Sequence, residues 1–172
     1  MSDTPLLAVR NLTVSYGEKQ AVRGVNFCLH RGEILVLAGE SGSGKSTILR
    51  AVMGILDAGV CAGEILWEGT DVLQLAKDAR RKLAGEEIAM VFQNAGASFC
   101  PVRTIGSQLY ESVCAHRAWS YDEFRERAEA LMVQMQLPRE VLDEYPFRLS
   151  GGMAQRAGIA AAMLLQPKLI LA

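Results

Sequence analysis

Eight consecutive residues, Gly39, Glu40, Ser41, Gly42, Ser43, Gly44, Lys45 and Ser46, fit the pattern G-x-x-x-x-G-K-[ST]. Glycines at this spacing let the backbone curl so that successive N–H groups converge on one concavity. A helix that begins there adds the positive end of its dipole. The guest that suits such a nest is the tail of a nucleoside triphosphate. Lys45 supplies a point charge for the β- and γ-phosphates, and the Ser46 hydroxyl is placed to ligate Mg²⁺. A second glycine cluster, Leu149-Ser150-Gly151-Gly152, also stands at a helix start. It offers a hydroxyl and unshielded N–H groups, which fit a second anion site, although taken alone the cluster reads first as an ordinary N-cap.

The flanking patterns predict the elements that hold these residues. Leu12, Val14 and Tyr16 alternate with polar partners, Ala21 to Leu29 reads as extended, and Glu33 to Ala38 (EILVLA) is a short apolar run of the buried-strand kind leading into the glycine turn. Ile48, Leu49, Val52, Met53 and Leu56 recur at helical spacing, with Gly54 weakening the helix and Gly59 ending it. Glu64–Trp67 and Ile88–Phe92 read as further strands around the polar, basic stretch Lys77–Lys82. Two helices are predicted next. One runs over Thr104–Ala115; the other starts at the capping-box sequence Ser120-Tyr121-Asp122-Glu123 and buries Phe124, Ala128, Leu131, Met132 and Met135 on one face. Gly152–Leu165 reads as an Ala-rich helix and Leu169–Ala172 as the start of a buried strand.

Composition narrows the classes. The chain has 172 residues, of which 50% are hydrophobic and 22% charged, an ordinary globular make-up that argues against disorder or a fibrous repeat. With 18 Lys+Arg against 19 Asp+Glu the formal charge is −1, without the basic surplus of a nucleic-acid binder. The longest apolar run, Ile159–Leu165, falls far short of the roughly 20 residues that span a bilayer, and the N-terminus lacks the form of a secretory signal. The expectation is a cytoplasmic protein without a transmembrane segment. Cys28, Cys61, Cys100 and Cys114 show neither metal-ligand spacing nor a disulfide framework, so they are expected to be reduced and to behave as small apolar residues.

Taken together these residues resemble the ATP-binding cassette (ABC) family. Leu149-Ser150-Gly151-Gly152-Met153 followed by Ala154-Gln155-Arg156 looks like the family signature, and Ser150 stands 105 residues after Lys45, a spacing the family shares. Val91-Phe92-Gln93 resembles the Q-loop and Val14-Ser15-Tyr16-Gly17 the aromatic A-loop. The resemblance implies an α/β fold: a P-loop NTPase (RecA-like) core with an N-terminal antiparallel β subdomain and an inserted helical subdomain. It divides the chain into 1–92 (β subdomain and first part of the core), 93–157 (Q-loop, helical subdomain, signature) and 158–172 (return to the core). It further implies that Tyr16 stacks on adenine, that Gly39 to Thr47 hold the phosphates and Mg²⁺, and that Gln93 approaches Mg²⁺ and the attacking water. Ser150, Gly151 and Gly152 would contact ATP held by a second cassette, and ATP-driven closure of the pair would move permease subunits in the membrane.

Glu40, the stretch Phe92 to Gly106, and Tyr145-Pro146 ahead of a signature ending in Met153 resemble cassettes of dipeptide, oligopeptide and nickel importers. Cys100 and Ala95 depart from the Asn and Pro usual there. The resemblance also implies an Asp, a Glu and a switch His beyond the strand at Leu169, so the chain is expected to be C-terminally incomplete. As given it is expected not to turn over ATP at a family-like rate, whereas an intact gene product would hydrolyse it. Asp143-Glu144 reads as a solvated helix end, and His30 and His116 as surface residues. The leading reading is an ATPase subunit on the cytoplasmic face of the membrane, energising an importer of peptides or nickel and working indirectly with a substrate-binding protein. Two other readings compete: a non-hydrolytic nucleotide-binding fragment, and a soluble ABC ATPase outside transport.

Overall fold

A computed structural model describes residues 4–56, 59–92 and 95–172. The chain divides into two compact units, Met1–Arg81 and Lys82–Ala172.

In the first unit, β1 (Leu7–Tyr16), β2 (Lys19–Leu29), β3 (Val60–Trp67) and the short β4 (Thr70–Asp71) form an antiparallel sheet in the order β2-β1-β3-β4. Leu12, Val14, Val22, Ile65 and Trp67 turn to its buried face. Alternation alone would keep β1 on one face throughout, but the ladder shifts register between Val9 and Leu12 and again near Val14. Asn11, with φ near 49°, sits in the first of these shifts, and its amide donates to Asn26 Oδ1 at 2.8 Å. Such bulges absorb an extra residue and strengthen the local twist. Helix α1 (Lys45–Met53) packs on β2 and buries Ile48, Ala51 and Val52, at the i, i+3, i+4 spacing of one face. It ends at Gly54, five residues before the expected Gly59, because Gly54 adopts the left-handed conformation and its N–H donates back to the last turn.

The expected strand over Glu33–Ala38 is absent: these residues pair with no strand among those described, and Ile34 and Val36 are 93% and 78% exposed. Composition shows that a run is suited to burial between neighbours. A strand also needs a ladder partner on at least one edge, and composition does not supply that.

The second unit pairs β5 (Ile88–Met90) with β6 (Leu169–Leu171) in parallel, with Ile88 opposite Leu169. Both ends of this ladder are tied. The Glu87 carbonyl accepts from the amides of Lys168 (2.9 Å) and Leu169 (3.1 Å), and the Val91 amide donates to Leu171 O (2.8 Å). The basic stretch expected between strands is helical: α2 (Lys77–Glu86) runs up to a kink at Ala84 and Gly85, immediately before β5.

Helices α3 (Ile105–Cys114), α4 (Tyr121–Gln134) and α5 (Gly151–Met163) build the main core of this unit. Thr104 caps α3, accepting from the Ser107 amide, and the capping box at α4 is complete in both directions between Ser120 and Glu123. The core joins Ile105, Leu109, Phe124, Met132, Leu142 and Ala157, with Leu131 and Met135 packed partly buried at its margin. Each fully buried Ile, Phe or Met side chain contributes on the order of 1.5–3 kcal/mol.

Two expectations about single residues are corrected. His116 is not a surface residue: its side chain is 14% exposed, with Nδ1 3.9 Å from Oε1 of the buried Glu86. The turn after α3 folds the ring over Gly85, a long-range placement that its sequence neighbours Ala115 and Arg117 do not reveal. His30 is half-buried as well. All four cysteines are unpaired, but Cys28, Cys100 and Cys114 are exposed, so they do not serve as core filler. Cys28 and Cys114 lie on amphipathic elements, and strand or helix membership alone does not say which face a position occupies.

Candidate functional site

The glycine-rich segment forms an exposed turn leading into α1. Gly42 and Gly44 have φ of 83° and 94°, a region that other residues adopt only with strain. Gly44 is also the N-cap of α1, and a side chain there would strike the chain behind it: a Cβ would lie 2.5 Å from the Ala21 carbonyl oxygen of β2. Glycine thus permits both the turn and its close seating on the sheet.

The N-cap of α1 is Gly44, which has no side chain, and no side-chain cap is formed among the described residues. Helix N-termini normally satisfy their free amides with a Ser, Thr, Asp or Asn oxygen. Here that place is open to an external acceptor, in a helix that also carries no acidic residue in its first turn. The Lys45 ammonium folds over the loop, donating to the carbonyls of Gly39 (2.8 Å) and Glu40 (2.7 Å) and lying 3.4 Å from Ser43 Oγ. These are neutral acceptors, and an anionic oxygen outcompetes them for an ammonium because charge-assisted hydrogen bonds are about twice as strong. The Glu40 carbonyl also accepts from the Ser43 amide at 3.2 Å, which closes the turn. Ser46 is exposed and Thr47 half-buried in the first helical turn.

Tyr16 lies in the same unit, at the end of β1 and opposite Lys19. Its half-buried ring packs against the backbone of Gly59, where a Cβ would lie 3.1 Å from Cε1. Lys19 is two residues along β2 from Ala21, about 7 Å at strand rise, so β2 links the Tyr16 turn to the seat of Gly44.

Gln93 lies outside the described residues. The second glycine cluster stands in the other compact unit. Ser150 is the N-cap of α5, its Oγ accepting from the Met153 amide at 3.3 Å, so the ordinary capping role is realised. Gly151 and Gly152 are exposed, with nothing within 4 Å of an added Cβ on either. Arg156, which follows the signature sequence, takes a bracing role that the sequence does not assign it. Its Nε donates to Gly152 O and its Nη1 to Gln136 O, each at 3.3 Å, bracing the start of α5. The available signal was its i+4 position from Gly152. Just before the signature, Tyr145 and Phe147 stack at 5.6 Å, with Phe147 72% exposed.

Asp143 closes a 3₁₀ turn (Arg139–Asp143) at the surface, where its two oxygens each accept from Arg125 at 2.6 Å. The guanidinium holds its carboxyl below the usual range. The pair Asp143-Glu144 is therefore the solvated helix end expected from sequence. Among the described residues no three His, Cys, Asp or Glu side chains converge on a metal site. Mg²⁺ keeps several waters and binds through nucleotide phosphates together with one or two protein oxygens, usually carboxylates; at the glycine loop the exposed Ser46 hydroxyl is one such oxygen donor. Among the described residues no helix is long and apolar enough to cross a membrane.

Comparison with known proteins agrees with this geometry. The ABC transporter family profile matches residues 22–172. The chain is 40% identical over 172 residues to the metal-staphylopine import system ATP-binding protein CntD of Staphylococcus aureus (strain Mu50 / ATCC 700699), covering 97% of this chain and 64% of that protein. It is 39% identical over 178 residues to the oligopeptide transport ATP-binding protein OppD of Bacillus subtilis (strain 168), covering 98% of this chain and 50% of that protein. It therefore spans between half and two thirds of the length of these relatives. A solved dimeric post-hydrolysis state of the ATP-binding cassette MJ0796 bound to ADP and Pi superposes with a TM-score of 0.82 at 29% identity, over 95% of this chain and 72% of that one. With the family profile reaching from β2 to the end of β6, and with relatives 39–40% identical over nearly the whole chain, this chain belongs to the ABC transporter family.

Proposed function

We propose that this chain is the ATP-binding part of an ABC importer subunit, one that binds ATP and hydrolyses it in the assembled protein to drive uptake of peptides or of a metal, free or chelated. The observation that carries the reading is the uncapped start of α1 behind the Gly39–Lys45 turn, with the Lys45 ammonium held only by neutral oxygens. A triphosphate supplies the missing acceptors. The amides from Gly42 to Thr47 take its β- and γ-oxygens, and Lys45 releases the Gly39 and Glu40 carbonyls to meet them. Tyr16 presents its ring to the base, and Ser46 offers its hydroxyl to Mg²⁺. The metal ion, when bound, neutralises phosphate charge that builds up as the terminal phosphoryl group departs.

In this reading Gln93, following β5, faces the metal and water, and Ser150, Gly151 and Gly152 complete the site of a second cassette. The open face of Gly151 and Gly152 suits close approach of another chain's nucleotide. Residues 1–92, 93–157 and 158–172 then act as binding core, helical signature arm and return strand. Docking on permease subunits at the cytoplasmic face of the membrane couples closure of the pair to transport, and a substrate-binding protein delivers the cargo outside. The relatives named for oligopeptide and metal-staphylopine import support this cargo class.

Co-expression of the full-length gene product with dipeptide-importer-type permease subunits tests the transport role. Stable co-purification in detergent is expected, with ATP-dependent uptake into proteoliposomes. A cassette that binds ATP yet never associates with permease subunits would contradict it.

A further inference from the structure

A second concave site lies within the Lys82–Ala172 unit, among residues with no part in the nucleotide reading. This groove of about 560 Å³ is lined by Arg117, Trp119, Arg127, Leu131, Gln134 and Ile170, together with the turn that joins α5 to β6. Its size falls within the range of small-molecule clefts. Both formal charges among its lining residues are guanidinium groups, and no lining residue is acidic.

The two arginines differ. Arg117 is committed, its Nη1 lying 2.6 Å from Oε2 of the buried Glu86. Arg127 sits over the Trp119 ring, with its central carbon 4.2 Å from the ring centroid. No ion pair to Arg127 is formed among the described residues; the acidic group that feels its charge is Glu123, one turn earlier on α4, which is already held by the Ser120 cap. The Arg127 N–H donors make no hydrogen bond among the described residues, and guanidinium donors are the ones that grip a carboxylate in a two-point fork. Beside it, Leu131 and the exposed Ile170 supply an apolar wall.

We propose that this groove binds a small organic acid, a single carboxylate attached to an apolar group, with the carboxylate on Arg127 and the apolar group against Trp119, Leu131 and Ile170. Charge complementarity selects the occupant: a cation would face the Arg127 guanidinium, and a neutral apolar molecule would leave its N–H donors unused. Arg117 is compensated by the Glu86 carboxylate, so Arg127 is the group that selects an anion.

The test uses the indole N–H resonances of the two tryptophans, the Trp119 signal being assigned by its loss in Trp119→Phe. N-acetyl-leucine is titrated as the acid probe and N-acetyl-leucinamide as its neutral counterpart. The expected result is a saturable shift of the Trp119 resonance with the acid at a Kd of about 1 mM or below. The amide should bind at least about tenfold more weakly. Arg127→Ala, an exposed position whose loss leaves the core intact, should abolish the shift, and Arg127→Lys should retain part of it. No shift with the acid, equal binding of the amide, or unchanged binding in Arg127→Ala would overturn the assignment. None of these outcomes depends on ATP binding.

Discussion

Gly44 and Ala21 stand so close that any side chain on Gly44 would enter the Ala21 carbonyl, at 2.5 Å, and press on Val22 Cγ2 at 3.1 Å. The glycine loop is thus seated on β2 by the absence of a Cβ, and its shape is tied to the sheet as well as to its own turn.

Replacing that glycine should therefore distort the loop while sparing the core. Gly44→Ala combines a left-handed φ with a backbone clash, a strain of about 1–3 kcal/mol. Nucleotide affinity is expected to fall at least about tenfold, with a modest drop in melting temperature. Fluorescent-nucleotide titration alongside thermal unfolding measures both. Wild-type affinity in Gly44→Ala would show that the loop does not need its seat.

Ser150 allows capping and nucleotide contact to be separated. Ser150→Ala removes the α5 cap and should cost about 1 kcal/mol of stability. Ser150→Asp keeps a capping oxygen and favours the helix dipole, so the fold should be as stable as wild type. An added anion at the signature would repel a partner's phosphates. ATP-induced dimerisation, followed by sedimentation velocity, should be lost in Ser150→Asp while nucleotide binding to the Gly39–Lys45 loop persists. A normally dimerising Ser150→Asp would count against the paired-cassette reading.

Much of this could be read from the sequence, for a physical reason. The glycine turn, the α4 capping box and the α4 face are local: a few neighbouring residues determine them, and they appear where expected. The run at Glu33–Ala38 is different, because its strand character depends on partners distant in sequence. The same holds for His116, placed by a turn that brings it to Glu86, and for the seating of Gly44 on Ala21. Arg127 over Trp119 is likewise a tertiary fact, since eight positions separate them along the chain.

The ion pair between Arg125 and Asp143 predicts a pH dependence. The folded state holds the Asp143 carboxyl below its ordinary value, so the pair stabilises the fold above the usual carboxylate range and is lost as pH falls through the lowered folded value. Asp143 is well exposed, which limits the effect to about 1 kcal/mol or less. Asp143→Asn should melt slightly below wild type at neutral pH, and the gap should close in acid, once the pH has fallen through the lowered folded value. A gap unchanged in acid would mean that the charge is not its origin.

Phe124 is fully buried between α3 and α4, where Tyr110 and Tyr121 flank its ring at 5.2 and 5.9 Å. Phe124→Ala should cost about 3–5 kcal/mol. Urea unfolding followed by circular dichroism would show it, and a loss below about 1 kcal/mol would contradict the placement of the helical core.

The central claim is that the turn before α1 holds a nucleotide triphosphate through its free amides and Lys45. Calorimetric titration of the folded chain with Mg·ATP, in parallel with Lys45→Ala, tests it most directly. The account predicts saturable single-site heat for the native chain and binding about 10- to 100-fold weaker in Lys45→Ala, with unchanged melting. No heat with folded native protein, or equal affinity in the two, would contradict it.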